Sequence, residues 1–389
     1  MIKRKDFLPY ALPAFDEREE GAVVEAIRSG WWSRGPKTLE FEKRFAEYVG
    51  AKYALAVNSC TAAMHLALIA SDIGPGDEVI TSAMTFCSTV NVIINSGATP
   101  VLADIDPETG LIDPDDVERK ITEKTRAIMP VHYAGRACDL DRIGEIAEKH
   151  GLVVIEDAAH ATGTKYKGKM IGSSGNLTAF SFYATKNLAT GEGGMLTTDS
   201  AEIYEKARVY SLHGMSRNAW NRYSKGGSWH YDVEYPGFKY NMTDLTAAIG
   251  LVQLDKVSDF NATRARYAEY YEEQFKDVPE ITTLKEAPGS ENSWHLYIIW
   301  VDETKLTVTR DVIIDTLTNE YNIGLSVHFI PIPCHPCYKE AYGMKKEDYP
   351  NTARLFKGLI SLPLYPSMKE EDVRYVAEAV REVTRRFAK

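Results

Sequence analysis

The sequence predicts a mixed α/β fold: a large domain with a mostly parallel sheet flanked by helices, then a smaller C-terminal α/β domain. Three observations carry this. Between residues 53 and 157, short apolar runs alternate with segments of helical spacing, the pattern of βαβ units. From 213 to 241 that rhythm gives way to a stretch rich in Gly, Trp, Tyr and Arg. Beyond 255, a long amphipathic segment is followed by two further apolar runs and two helical patterns.

The elements follow in order. Asp16 and Glu19 form a capping-box pair ahead of an apolar face made by Ala22, Val23, Ala26 and Ile27, and Gly30 is a good stop. A second helix is predicted from Thr38 to Tyr48, ending at Gly50. "YALAVN", "DEVITS", "TPVLADI", "TRAIMPVHY" and "LVVIED" read as strands, and "AFSFYA" is strand-like. "TAAMHLALIAS", "TFCSTVNVIINSG", "DPDDVERKI" and "DLDRIGEIAEKHG" read as helical. Right-handed crossovers then bring the strand C-terminal ends to one edge, where such sheets bind ligands. "MTDLTAAIGLVQLDKV" is a helix whose end near 255 marks the predicted boundary between a large domain (1–255) and a small one (256–389), with residues 1–15 placed to pack on the latter. The small domain is expected to hold a helix at 260–275, strands at "HLYIIWVD" and "LSVHFI", and helices near 309–320 and 369–386.

Composition narrows the function. The 389 residues are 44% hydrophobic and 26% charged, a globular balance that excludes a disordered or fibrous chain. A net charge of −10 disfavours nucleic acid and anionic membranes as partners. No apolar run is long enough to span a bilayer, and the start of the chain lacks the apolar stretch of a signal peptide. Five cysteines, an odd number, argue against a disulfide framework, so a cytoplasmic location is expected.

Three features could carry chemistry. Asp157 closes an apolar run, where it is either a turn carboxylate or a group aimed into the active edge, with His160 three residues on. Ser59, Cys60 and Thr61 sit where a strand meets a helix, and the free N–H groups there suit a phosphate, or Ser59 or Thr61 is merely a cap. Lys186 follows "AFSFYA" and precedes Gly191 to Gly194, expected to turn the backbone tightly. A lysine in a partly apolar pocket loses basicity and becomes nucleophilic toward carbonyls. A helix N-terminus for a phosphate, a carboxylate for a ring nitrogen and a lysine for an aldehyde are together the three handles of pyridoxal phosphate (PLP).

The motifs "SGWWSRGPKTLEFE", "GPGDEVITSAMTF", "PVHYAG", "VIEDAAHATGTKYKGKMIG", "FSFYATKN", "EGGM" and "PGFKYNMTDLTAAIGLVQL" resemble, in order and over nearly the whole length, the DegT/StrS-type nucleotide-sugar aminotransferases. The resemblance implies a fold-type I PLP enzyme. It implies that Lys186 bonds the cofactor aldehyde, Asp157 partners the pyridinium nitrogen and His160 packs at the ring. Ser59, Cys60, Thr61 and Ser181 would hold the phosphate, Phe86 would stack on the ring, and Asn241 would reach the partner subunit's cofactor across a homodimer with shared active sites. Trp31, Ser33, His213 and His328 would contact the sugar substrate, although Trp32 and Arg34 depart from the family's commoner small-residue pattern there. "PVHYAG", "EDAAHA" and "PGFKYNMTD" resemble most the members that aminate UDP-4-keto sugars. The implied reaction takes the amino group from glutamate, releases 2-oxoglutarate and passes the amine to a nucleotide-linked keto sugar in ping-pong fashion. dTDP- or GDP-linked 4-keto-6-deoxy sugars and 3-keto sugars are the alternative substrates.

Other readings weigh less. "CHPC" (Cys334, His335, Pro336, Cys337) lacks a second cysteine pair, so no metal is expected, even with His328 near in sequence. The aromatics Trp220, Tyr223, Trp229 and Tyr231, with Arg222, could stack on single-stranded nucleic acid, against which the net charge speaks. Sugar dehydratases of the same family carry histidine where this chain has Lys186. A non-catalytic regulatory protein on this scaffold would have no use for the lysine, the carboxylate and the phosphate turn together.

Overall fold

The computed structural model describes residues 3–215 and 231–389. Its centre is a seven-stranded sheet in the spatial order Tyr53–Val57, Gly194–Thr198, Leu177–Ser181, Val153–Asp157, Thr125–Met129, Glu78–Ser82, Thr99–Ala103. Neighbours from Leu177–Ser181 through to Thr99–Ala103 pair in parallel. Only Gly194–Thr198 runs the other way, antiparallel to both its neighbours. Every residue of Leu177–Ser181 is buried, as befits a strand covered by helices on both faces. That is why these segments read as continuous apolar runs.

The helices start and stop where their caps dictate. Asp16 and Glu19 form the capping box of Glu17–Ser29, and Gly30 closes it in the left-handed conformation at φ 78°. Pro36–Val49 ends at Gly50 in the same way. Asp244 holds the first turn of Pro36–Val49 from a distance. Its Oδ1 accepts the N–H of Gly35 at 2.7 Å and the N–H of Thr38 at 2.9 Å.

Three expectations need correction. The helix expected to end near 255 runs unbroken from Asp244 to Phe275, so the proposed domain boundary falls inside it. Gln253 and Lys256 tie its first half to Glu19 of Glu17–Ser29, and Asp255 ties it to Arg44 of Pro36–Val49, while the carbonyl of Gln274 near its end accepts Arg381 of Glu370–Phe387. The buried face therefore changes along the helix, and the apolar periodicity changes with it. "LSVHFI" forms no strand; Ser326 makes a single bridge to Ser361. The glycines after Lys186 do more than turn the chain. Gly191 has φ +85°, but Gly194 opens a strand whose backbone lies on the helix start, where a Cβ would sit 2.4 Å from the carbonyl carbon of Ser59.

The C-terminal part builds a three-stranded antiparallel sheet, Ile281–Thr283, Tyr297–Val301 and Leu359–Leu362. Arg310–Tyr321 and Glu370–Phe387 are its main helices. Leu8 joins their core and bridges to Ile323. Among the described residues, no helix is long and apolar enough to cross a membrane. Of the aromatic and basic residues singled out between 213 and 241, Trp220, Arg222, Tyr223 and Trp229 lie outside the described residues, and Tyr231 is exposed.

Candidate active site

The strand C-terminal ends open onto a cavity of about 460 Å³. Ser59, Cys60, Thr61, Phe86, Asp157, His160, Ser181, Lys186 and His328 all line it. The remaining sequence candidates do not. Asn241 bridges to Val57, and its side chain donates to the carbonyl of Met242 at 3.1 Å. Trp31 is 53% exposed. The carbonyl of Ser33 accepts the N–H of Asp244 at 3.0 Å, and His213, at φ 59°, donates its N–H to Phe238 at 2.7 Å.

Asp157 ends the central strand Val153–Asp157 and is 4% exposed. Its Oδ2 accepts the hydroxyl of Thr89 at 2.8 Å, and its Oδ1 accepts the N–H of Ala159 at 3.1 Å. Among the described residues it has no ion pair. Burial pushes its carboxyl above the ordinary aspartate range, only partly offset by Thr89, Ala159 and the positive charge of Lys186. A buried acceptor in this state favours a cationic donor at its open side.

Lys186 follows Leu177–Ser181 and leans back over the cavity. Burial lowers its amine to about 8, against the opposing pull of Asp157 and Cys60 and with a further push from Arg264. At pH 7 roughly a tenth of it is therefore free base, far more than for an ordinary lysine, and that is the form that attacks carbonyls.

Opposite lies the N-terminus of helix Cys60–Ala70. Ser59 caps it, its Oγ accepting the N–H of Ala62 at 3.1 Å. The cap reading of Ser59 holds, and it leaves the N–H groups of Cys60 and Thr61 available to a ligand. The Cys60 and Thr61 N–H groups precede the first intrahelical bonds and lie at the cavity with the positive end of the helix dipole. Ser181 Oγ is at the same cavity and accepts the N–H of Tyr183 at 3.3 Å. His160 is buried and its Nδ1 accepts the N–H of Ala134 at 3.2 Å. Phe86 is 55% exposed, and both it and His160 pack on Phe329 at ring distances of 5.7 Å.

Sequence reasoning missed several members of this cavity. His295, Phe329 and Tyr10 line it from the C-terminal and N-terminal segments, and Thr89 reaches Asp157 from helix Cys87–Asn95. Thr89 falls one helical turn from Thr85 in a predicted helix, the one local signal of the set. Among the described residues, no group of three His, Cys, Asp or Glu side chains could hold a metal ion. His335 instead lies 3.2 Å from the carbonyl of Ile330 through Nε2.

The profile of the DegT/DnrJ/EryC1/StrS aminotransferase family matches residues 13–381. The spore coat polysaccharide biosynthesis protein SpsC of Bacillus subtilis is 56% identical over 383 residues, covering 98% of both chains. Spr1654 of Streptococcus pneumoniae, assigned as a sugar aminotransferase and solved in a PLP form, superposes with a TM-score of 0.90 at 36% identity, over 98% of this chain and 99% of that one. PseC of Helicobacter pylori, an aminotransferase of pseudoaminic acid biosynthesis, superposes with a TM-score of 0.90 at 30% identity, over 98% of this chain and 100% of that one.

The residues present fit the cofactor these relationships imply. A buried carboxylate with no ion pair among the described residues, an amine of lowered basicity and the N-terminus of helix Cys60–Ala70 face one cavity. The chain belongs to the DegT/DnrJ/EryC1/StrS aminotransferase family, enzymes whose cofactor is pyridoxal phosphate.

Proposed function

We propose that this chain transfers the amino group of glutamate to a nucleotide-linked keto sugar, a UDP-4-keto sugar first among them, for polysaccharide biosynthesis. The observation that carries the reading is the meeting of Lys186, Asp157 and the Cys60–Ala70 helix start at one cavity. The polysaccharide context is supported by the likeness to SpsC, and the UDP-4-keto preference by the motifs "PVHYAG" and "PGFKYNMTD".

In this reading Ser59, Cys60, Thr61 and Ser181 hold the phosphate, while Phe86 and His160 confine the ring. Bound there, pyridoxal phosphate supplies an aldehyde for amino exchange and a ring that takes up electrons. Asp157 would hold a protonated ring nitrogen. Lys186 Nζ would take a proton from the substrate carbon as base and give it up again as acid. Phe329 and Tyr10 help exclude water from the cavity. His328, held at 2.9 Å from Ser361 and lowered to about 4 chiefly by burial, is neutral at physiological pH and suits sugar hydroxyls rather than a carboxylate.

Asn241, Trp31, Ser33 and His213 do not line this chain's own cavity. That fits a homodimer in which they serve the partner's site, and the 53% exposed Trp31 and 60% exposed Trp32 fit an interface. Light scattering is expected to give twice the mass of one chain.

The deciding experiment supplies PLP, glutamate and a panel of keto nucleotide-sugars, with the product read by mass. Wild type is expected to aminate a UDP-4-keto sugar, and Lys186→Ala to lose both the visible absorbance of bound cofactor and all turnover. Full activity in Lys186→Ala sinks the role of the lysine. Amination of dTDP- or GDP-linked sugars alone moves the substrate to the alternative class.

A further inference from the structure

The lysine has a neighbour the sequence did not reveal. Lys186 Nζ lies 3.4 Å from Nε2 of His295, and Nδ1 of His295 lies 3.1 Å from Oδ1 of Asn187. The proton positions follow from what each partner can do. Asn187 Nδ2 donates to the main-chain carbonyl of Ser293 at 2.7 Å and to Asn261 Oδ1 at 2.7 Å. A main-chain carbonyl only accepts, so the nitrogen of the Asn187 amide must face it. Asn261 is fixed the same way, its Nδ2 donating to the carbonyl of Thr162 at 3.0 Å. Asn187 Oδ1 is then the acceptor facing His295, so His295 Nδ1 carries the hydrogen. A neutral imidazole has only one, which leaves Nε2 with a bare lone pair toward the lysine.

The surroundings keep the ring neutral. Burial, then the charge of Lys186 and the neighbouring His160, Arg264 and His328, hold His295 well below the ordinary histidine range. His160, with its ring centroid 4.3 Å from that of His295, has the opposite arrangement. Its Nδ1 accepts from Ala134, so its hydrogen is on Nε2. Two touching histidines thus present different faces to the cavity.

We propose that His295 is a positioning residue for Lys186: its Nε2 accepts a hydrogen bond from the ε-amine, aims the freed amine into the cavity and stabilises the proton it carries. No bond to His295 forms or breaks; the proton stays on Nζ until it is returned. The proposal rests on the reading of Lys186 as the cofactor lysine. Asp157 and Cys60 also favour the charged amine, whereas burial and Arg264 oppose it.

Borohydride reduction of the PLP-loaded protein, followed by peptide mass measurement, checks the underlying reading separately. A pyridoxyl group on Lys186 supports that reading, and one on another lysine removes it. The proposal itself is tested on full-length cofactor-free protein, by the rate of Lys186 acetylation with acetic anhydride as a function of pH. His295→Phe removes the acceptor and is expected to move the midpoint down by roughly one pH unit, the scale of a lost charge-assisted hydrogen bond. His295→Gln, whose Oε1 accepts, is expected to recover most of that shift. Overlapping wild-type and His295→Phe profiles, with the pyridoxyl group on Lys186, overturn the proposal and leave the cofactor reading intact. A measurement on the unaltered chain covers the case in which His295→Phe does not fold. Long-range nitrogen NMR of histidine-labelled protein, assigned with His295→Gln, should show the hydrogen of His295 on Nδ1, and finding it on Nε2 overturns the proposal.

Discussion

Glu156 and Asp157 are consecutive, both buried, and end the same strand. Successive strand side chains point to opposite faces, so the two carboxylates enter different surroundings. Glu156 is fully partnered within the chain: His132 Nε2 lies 2.8 Å from Oε2, and Oε1 accepts from Ser174 at 2.6 Å and Asn176 at 2.8 Å. Asp157 has one hydroxyl, one amide and the weak thiol donor of Cys60 at 3.9 Å, and no ion pair among the described residues. Burial pushes both carboxyls upward. At Glu156 the bonds from His132, Ser174 and Asn176 outweigh it and the carboxyl falls below its ordinary range, whereas at Asp157 burial wins and the carboxyl rises. Burial alone therefore does not separate a structural acid from a working one. The difference is whether the chain itself supplies the partner or leaves that place to a ligand.

The comparison breaks most visibly in catalysis. Asp157→Asn keeps shape and removes the charge, and amination is expected to fall by about 10²–10³-fold, the scale seen when one preorganised electrostatic group is lost. The same variant should leave cofactor-free stability equal to wild type or slightly above it, because an unpaired buried charge is removed. Glu156→Gln should do the reverse: a loss of about 1–3 kcal/mol in denaturant unfolding, from donors left facing an amide, with turnover within a few-fold of wild type. If Asp157→Asn destabilises and Glu156→Gln abolishes turnover, the assignment of roles is inverted.

Acid titration sharpens the contrast because the signs differ. Glu156 has its folded value below its ordinary 4.5, so its stabilisation is present above that pH and is lost as pH falls toward the folded value. Asp157 has its folded value above 3.8, so its contribution worsens as pH rises through that window. Glu156→Gln is therefore expected to flatten the acid limb of a stability–pH curve and Asp157→Asn to steepen it.

What could be read from the sequence follows the same local logic. Asp157, Lys186 and the Ser59–Thr61 turn were legible because each is defined by its own strand end or helix start. His295 was not, since it meets Lys186 across 109 residues of chain and nothing near it signals a site. The strand at Gly194–Thr198 hid behind glycines whose purpose is close packing on Ser59 and Cys60. Tertiary packing likewise decided the continuity of Asp244–Phe275, whose buried face shifts from one set of helices to another. The roles expected of Asn241 and Trp31 come from the resemblance alone, and neither residue lines the cavity of its own chain.

Lys186 provides the smallest expected effect, and it tests whether the amine belongs with Asp157 or with Glu156. A lysine lowered from 10.5 to about 8 resists its charge in the folded state. Below about 8 it is protonated whether the chain is folded or not, and the folded state bears the full cost. Between about 8 and 10.5 the unfolded chain binds more protons, so stability rises with pH across that window. Lys186→Met removes both the cost and the slope. Cofactor-free Lys186→Met is expected to melt about 2 °C above wild type at neutral pH, with the two curves converging as pH approaches 10. A lower melting point at neutral pH would instead mean that the chain supplies Lys186 with a partner as complete as the one it supplies Glu156. The lysine would then be a structural group, and the pairing of amine and carboxylate at the cavity would lose its meaning.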